Sequence, residues 1–480
     1  MCQIADLYDS GIYISNRLIL PFAGLIVHFI LLALSCMPQD ASAGNFRGKR
    51  MNKNSSAKYY SNPLTLFGKA CRFYAIFRKA EAFSTEQLAE YQFKHLRSVL
   101  EYAGTHVPYY RRAFRECGFE VGDFKQLADI NGLPYLTKDI LRKEDPALFL
   151  SDEADHLGVA YLKTSGTTGV PLQFACDIES RAAKYALTYR AFHEAGYNIG
   201  ATHFVFKNCF YSNRAFAYTP IINRVSMHAY MNSKANCVEC DKLLREHPPR
   251  HVLAHPNALL EFARSIPDAR YTFRKTRGIT TLSEPLTPEL RRQIEEATGS
   301  KAFDYYSNME SSLIGYEVLE GKFLLGEHFS FNEIIPLGGD PLEGEIVSTT
   351  FFSKAMPLIR YRNADVVKLA NPSNSAFRTI REVAGRISEA IVLPDGNKVR
   401  VFNLMHSQLE NVMMYQIVQE SPVSLCVDYV KIDKSNGVDV SGMIEELRHY
   451  LGNEVNITSK SVDALQKTPA GKIPRIISKY

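Results

Sequence analysis

An α/β fold of layered sheets and helices is predicted by three features of this chain. Stretches with apolar residues at helical spacing alternate with short strand-like runs between Gln87 and Thr298. The span Phe323 to Thr350 is β-rich and is punctuated by Gly338-Gly339-Asp340-Pro341. Beyond Gly385 a hairpin around Pro394-Asp395-Gly396 and a helix over Gly442–Tyr450 make a smaller α+β ending.

Each element has a local reason. Gln87 to Arg115 keeps the helical period, and Leu133 to Phe149 reads as a turn and a second helix. Ile178 to Ala195 is a further helix, whereas Ala201–Phe206 and His251–Ala254 read as strands. Pro288–Thr298 is framed as a helix by proline at its start and Gly299 just past its end.

Composition limits the partners. The chain has 480 residues, 46% hydrophobic and 22% charged, enough for more than one core. A net charge of +5 is mild at this length and gives no reason to invoke nucleic acid. There is no run of five like charges and no long repeat.

The segment that carries most chemistry is YLKTSGTTGVPLQF, Tyr161 to Phe174. Glycine lets the backbone turn sharply and approach a ligand. Successive exposed N–H groups in such a turn form an anion-binding nest. The hydroxyls of Thr164, Ser165, Thr167 and Thr168, around Gly166 and Gly169, add donors suited to phosphate. Alone, such a cluster is an ordinary surface loop. Four further segments follow in order: LSEPLTPELRRQIEEATGSKAFDYYSNMESS (Leu282 to Ser312), MPLIRYRNADVV (Met356 to Val367), VAGRISEAIVLPDGNKV (Val383 to Val399) and QKTPAGKIPR (Gln466 to Arg475).

The five together resemble the motifs of the adenylate-forming enzymes, which join a carboxylate to AMP and then to a thiol. The stretches LRSVLEYAGTHVPYYRRAF and LPYLTKDILRK, and Leu172 where most members have lysine, resemble the phenylacetate–coenzyme A ligase branch with its polysaccharide-cluster relatives. The resemblance covers residues from about 90 to 480.

The resemblance implies roles. Thr164, Ser165, Gly166, Thr167, Thr168 and Gly169 hold the departing pyrophosphate, Tyr306 offers a flat face to adenine, and Asp365 accepts from the ribose hydroxyls. Glu284 joins the nucleotide site, and Glu310 helps to hold Mg²⁺. Arg386 and Lys472 meet phosphate or ribose, Lys472 as the point charge on the α-phosphate and carboxylate. ATP, Mg²⁺ and coenzyme A are the implied cofactors. Residues 51–385 form the large adenylation domain, and 386–480 a mobile lid that rotates about Arg386 to Ser388. A homodimer is consistent with relatives.

Several positions depart from the pattern. Ser283, Ser307 and Ala364 replace glycines, Met309 replaces threonine, and Ser388 stands where aspartate is usual. Met309 forfeits a phosphate-facing hydroxyl, about 1 kcal/mol of hydrogen bonding. Side chains at Ser307 and Ala364 ask the backbone to avoid positive φ there. None of these changes removes a charge that the chemistry needs.

Three functions compete. The first is an acyl–coenzyme A ligase acting on an aromatic or other small carboxylic acid. The second is an adenylating enzyme that passes the acyl group to a carrier protein, or to an amine in surface polysaccharide assembly. The third is a catalytically silent nucleotide-binding protein, against which Lys472, Glu310, Asp365 and Arg386 argue. The aromatics Phe210, Tyr211, Phe216 and Tyr218 suit an apolar guest, as sheet aromatics also would.

Nine cysteines are an odd count, and free thiols suit a chain that needs cytosolic ATP. Cys237 and Cys240 form a lone CxxC, with His247, His251 and His255 after it. Pro248 and Pro249 oppose a helix that would align those histidines, so core thiols and satisfied histidines are expected rather than zinc.

Residues 1–50 are a separate leader. Leu18 to Cys36 is almost wholly apolar and nearly long enough to span a bilayer, weakened by Pro21 and His28. Arg47, Lys49, Arg50, Lys53 and Lys58 follow it, which would hold the rest at the cytoplasmic face. Ala41-Ser42-Ala43 resembles a cleavage site, but a secreted chain carries its positive charge before the apolar run. Translation from Met51 would remove the leader altogether. A membrane anchor through residues 18–36 and a start at Met51 both leave the catalytic part cytoplasmic.

Overall fold

The computed structural model describes residues 63–163, 172–207, 215–228, 233–319, 321–338, 340–371, 375–386, 391–394, 398–399, 412–431, 435, 437–452, 454–466, 474 and 476–479. The apolar run Leu18 to Cys36, Thr164 to Gly169, Phe210, Tyr211, Ser388 and Lys472 lie outside them. Among the described residues no helix is long and apolar enough to cross a membrane.

Among the described residues the first elements are three helices, Pro63–Ala80, Thr85–His106 and Pro108–Glu116. Ser84 starts the second with a capping box, accepting from the Gln87 peptide while Gln87 reaches back. The continuous helical period from Gln87 to Arg115 is broken once. Pro108 has no N–H to donate and forces Val107 out of the helical region, to φ −116° and ψ 114°.

Strands β1 (Leu136–Thr137), β2 (Ala160–Lys163) and β3 (Gln173–Cys176) follow, and Lys163 pairs with Gln173. Helix Ile178–Glu194 begins at Asp177, whose carboxylate accepts the Ser180 peptide. Then come β4 (His203–Lys207), β5 (Phe216–Thr219), β6 (Arg224–His228), β7 (His251–Ala254), β8 (Gly278–Thr281) and β9 (Ala302–Ser307). Between them run helices Lys234–Glu246, Pro256–Ser265 and Pro288–Thr298. The last matches the sequence expectation, with Gly299 at φ 71° closing it.

Strands β6, β4, β7, β8 and β9 pair in parallel, in that spatial order, with β5 antiparallel at the edge. Both faces are covered. Phe204, Phe206, Val252 and Ala254 enter one core with Phe262 and Leu244, whereas Val205 and Leu253 enter the other with Phe77, Leu187 and Tyr316. This period-2 division is what a parallel sheet buried on both sides demands.

From β9 the same sheet continues in antiparallel sense. Its strands are β10 (Ile314–Glu317), β11 (Phe323–Leu325), β12 (Ser330–Pro336), β13 (Glu343–Thr350), β14 (Tyr361–Leu369) and β15 (Thr379–Arg386). The order is β12-β13-β14-β15-β11-β10-β9, and β1 adds to β14.

A short hairpin, β16 (Ile391–Val392) with β17 (Lys398–Val399), precedes a separate four-stranded sheet. That sheet has β18 (Val412–Ser421) and β19 (Ser424–Lys431) at its centre, flanked by β21 (Ile476–Ser478) and β20 (Asn456–Ser461). Helix Ser441–Leu451 covers it through Met443 and Leu447. The fold is α/β with a smaller α+β unit at the C-terminus, as the sequence predicts.

Candidate active site

The parallel strands end at Lys207, Ala254, Thr281 and Ser307, and their carboxyl ends share one edge. In open α/β sheets this is the edge where ligands bind. Glu284 leaves β8 there, and its carboxylate takes a 2.9 Å hydrogen bond from the Asn257 side chain. His255 Nδ1 lies 3.5 Å from the other oxygen. Partial burial acts to raise the Glu284 pKa, but His255 and Asn257 prevail and hold it below the usual carboxylate range.

Tyr306 is the penultimate residue of β9. Its hydroxyl donates to Asp365 Oδ2 at 2.5 Å. Burial, then the Asp365 charge, pushes the phenol well above its ordinary pKa, so it remains a donor. Just beyond, Glu310 is buried and accepts from the Tyr361 hydroxyl at 3.0 Å. The intervening turn is fixed by Asn308, which accepts the Ser312 peptide N–H at 3.0 Å and donates to its hydroxyl at 2.7 Å. Lys184 donates to the Asn308 carbonyl at 2.9 Å.

Asp365 reaches this edge because β14 bulges. Across β13 the register passes from Val347↔Arg362 to Glu345↔Val366, so two residues on one strand face four on the other. Such a bulge re-aims side chains. It is held by Asn363, whose Oδ1 accepts the Asp365 peptide at 2.9 Å and whose carbonyl accepts from Lys138 at 2.8 Å. β15, β11 and β10 separate β14 from β9 in the sheet, yet Tyr361 and Asp365 meet Glu310 and Tyr306. On the other side Asp365 is paired in the ladder with Arg386, whose backbone is thereby placed beside the site.

The backbone corrects one expectation. Ala364 adopts φ 70° although it carries a side chain, and Ser283 adopts φ 69°. Both keep the left-handed conformation that favours glycine, so the replacements strain the chain without reshaping it. Ser307 remains extended within β9. Ser311, which the sequence does not single out, is also left-handed at φ 57°.

The structure thus brings together Tyr306, Glu310 and Asp365, with Glu284 on the neighbouring strand end. Tyr361, Asn363, Lys184, Asn308, His255 and Asn257 support them and were missed. Tyr361 and Asn363 sit inside the segment that flagged Asp365; Lys184 carries no sequence signal.

Cys237 and Cys240 lie fully buried on helix Lys234–Glu246. His247 ends that helix, His251 is in β7, and His255 begins the next helix, so no one helix face carries all three. Among the described residues no group of three His, Cys, Asp or Glu could hold a metal ion. A single carboxylate at Glu310, with Oε1 held by Tyr361, fits a cation that takes most of its ligands from phosphates and water, as Mg²⁺ does.

A family model described as the CapK C-terminal domain matches residues 391–479. The phenylacetate-coenzyme A ligase of Aromatoleum evansii is 24% identical over 446 residues, covering 83% of this chain and 96% of that protein. That of Escherichia coli (strain K12) is 27% identical over 346 residues, covering 69% and 77%. Protein CapK of Staphylococcus aureus is 24% identical over 368 residues, covering 72% and 79%. The crystal structure of 2-hydroxyisobutyryl-CoA ligase in the postadenylation state, in complex with R3-HIB-AMP, superposes with a TM-score of 0.65 at 17% identity, covering 83% of this chain and 91% of that one. This last likeness concerns the fold. Together with the ordered motifs and the fold, these relatives support the adenylate-forming superfamily, in the branch of phenylacetate–coenzyme A ligase-like and CapK-related proteins.

Proposed function

We propose that this chain activates a carboxylic acid with ATP to an acyl-adenylate and then transfers the acyl group to coenzyme A. The observation that carries the reading is the meeting of Tyr306, Glu310 and Asp365 at the carboxyl edge of the sheet.

In the first step a carboxylate oxygen attacks the α-phosphorus of ATP. A new P–O bond forms as the bond to pyrophosphate breaks. In the second, the thiol sulfur attacks the acyl carbonyl, and AMP leaves with the electron pair of the broken C–O bond. Catalysis of both steps rests on positioning and preorganised charge. Tyr306 would stack on adenine, and Asp365 and Glu284 would hold the nucleoside part. Thr164 to Gly169 would take the pyrophosphate, and Arg386 and Lys472 the phosphate and ribose oxygens. Glu310 would hold Mg²⁺, which neutralises phosphate charge when bound. Residues 386–480 act as the lid and 51–385 as the large domain. The change of sheet after β15 supports that division. The need for ATP places the catalytic part in the cytoplasm.

The test is acid-dependent pyrophosphate release with ATP and Mg²⁺ across aryl, fatty, hydroxy and amino acids, with and without coenzyme A. Release that Lys472→Ala abolishes and coenzyme A stimulates is the expected result. No release with any acid, in a protein that binds ATP, sinks the reading in favour of a silent nucleotide-binding protein.

The CapK match over residues 391–479 favours a second reading, in which a carrier protein or an amine takes the acyl group. Acid-dependent release indifferent to coenzyme A selects it.

A further inference from the structure

Strand β18 alternates between two faces. Tyr415 and Ile417 enter the core beneath helix Ser441–Leu451, so Gln416 between them stands on the opposite face, yet it is fully buried. Its amide makes three hydrogen bonds, all to backbone. Nε2 donates to the Gln466 carbonyl at 3.1 Å and to the Pro474 carbonyl at 2.7 Å. Oε1 accepts the Gln466 peptide N–H at 3.1 Å. A primary amide has two N–H donors and one carbonyl acceptor, so this side chain is fully engaged by two positions of the chain.

Those positions flank residues 467–473, which include Lys472. Fully extended, a segment of that length would span about 23–25 Å. Here its two flanks meet at a single nitrogen. The pairing of Ile476 with Ile417 secures the flank after Lys472, and Gln416 brings in the flank before it. The string itself does little to fix the lysine. Gly471 beside it leaves the backbone free to turn, and the ammonium rides on a flexible four-carbon stem. A side chain needed only to fill this face of the sheet could be apolar. The amide is required because two carbonyls and an N–H are brought to one buried point.

We infer that Gln416 is a positioning residue for Lys472, closing the base of the segment that carries the lysine and so limiting where its ammonium is presented. The inference rests on the reading that Lys472 serves the attack at the α-phosphorus. The other fully buried glutamine of the strand, Gln419, provides a contrast. Its amide binds the Val392 N–H and carbonyl, at 3.0 and 2.7 Å, and so ties β16 to the lid sheet. Loss of either amide costs the lid buried hydrogen bonds, but only one of them closes the segment around Lys472.

The test uses the full chain as wild type, Gln416→Met and Gln419→Met, at a temperature where all three are folded. Methionine keeps the length of glutamine and gives up the amide. Tryptic cleavage after Lys472, followed by mass spectrometry, should quicken in Gln416→Met and stay at the wild-type rate in Gln419→Met. Pyrophosphate release is then measured with ATP, Mg²⁺ and the panel acid that wild type turns over fastest. For Gln416→Met, kcat should fall about 10–100-fold, the effect of a misplaced group, with KM for ATP within about threefold. Gln419→Met should stay within about threefold of wild type in both constants. Unchanged cleavage after Lys472 in Gln416→Met overturns the inference, as does a kcat equal to wild type. Equal losses in the two variants also overturn it, since both would then act through the stability of the lid. Should Gln416→Met not fold, Gln416→Asn decides in its place, because it keeps an amide that is one methylene too short to reach both flanks. No release by folded wild type with any acid overturns the reading of function, and the role of Gln416 with it. Release by wild type that the Gln416 variant matches overturns that role alone.

Discussion

Asp365 stands opposite Arg386 in the ladder of β14 and β15, yet its carboxylate reaches across to the end of β9. The bulge at Asn363–Asp365 reconciles the two, and Ala364 turns the corner at φ 70°. A left-handed residue with a side chain costs roughly 1–2 kcal/mol, of which glycine's extra chain entropy returns about half. Ala364→Gly is therefore expected to stabilise the protein by about 0.5–1 kcal/mol. A rise in urea midpoint without change in slope is the readout, and a fall would show that the left-handed conformation is not strained.

Arg360 ties the segment just before β1, at Asn131 and Leu133, to the antiparallel half of the sheet. Its guanidinium holds Glu333 with 3.1 and 2.6 Å bonds and also donates to the Asn131 and Leu133 carbonyls. Side-chain exposure is 5% for Arg360 and 11% for Glu333. Removing one partner strands the other charge, so Arg360→Ala should cost about 3–5 kcal/mol. Lysine cannot reproduce the planar fork, so Arg360→Lys should recover less than half of that by denaturant unfolding. Full recovery by lysine would reduce the contact to simple charge.

What the sequence conveys and what it hides divide on physical grounds. Helix Pro288–Thr298 and the hairpin at β16–β17 follow from local rules, since proline, glycine and periodicity act within a few residues. The segments carrying Tyr306, Glu310 and Asp365 are also legible, because each is a short string. Their meeting is not. It depends on contacts across a long sheet, and nothing in LIRYRNADVV says that Tyr361 will find Glu310, 51 residues away. Nor does the string show that Ala364 keeps a glycine's backbone conformation, since that is decided by the pairing on both sides of β14.

The Tyr361–Glu310 bond is open to direct measurement. Tyr361 is fully buried and Glu310 nearly so, and a hydrogen bond to a charged group contributes about 1.5–3 kcal/mol. A double-mutant cycle with Tyr361→Phe and Glu310→Gln should return a coupling of at least about 1 kcal/mol in unfolding free energy. Additive effects of the two changes would mean that the carboxylate is held by something else.

The Cys237-x-x-Cys240 pair should behave as core thiols. Both side chains are inaccessible, and burial lifts the Cys237 pKa to about 11. In native protein the two should resist a thiol reagent that modifies Cys117, which is exposed. Prolonged EDTA should leave the melting midpoint in place. A midpoint that falls with EDTA and returns with zinc would establish a metal there.

His328 should govern part of the acid stability. The ring is fully buried between Phe77 and Phe377, at centroid distances of 4.8 and 5.0 Å, and neither nitrogen has a hydrogen-bond partner among the described residues. Burial, aided by the Arg190 charge, lowers its pKa to about 3. An unfolded histidine titrates near 6.5, so between pH 6.5 and 3 the unfolded state binds the extra proton and stability falls as pH falls. At pH 5 that amounts to about 2 kcal/mol, from about 1.36 kcal/mol per pH unit. His328→Phe removes the titration while keeping an aromatic ring in an aromatic box. Its stability advantage should therefore grow by about 2 kcal/mol between pH 7 and pH 5, read as a widening gap in urea midpoints. His251, lowered to about 3 by burial, and Asp304, raised to about 7 chiefly by burial, act in opposite directions in both proteins and leave that gap intact. A gap that stays constant with pH would place the proton on His328 in the folded state.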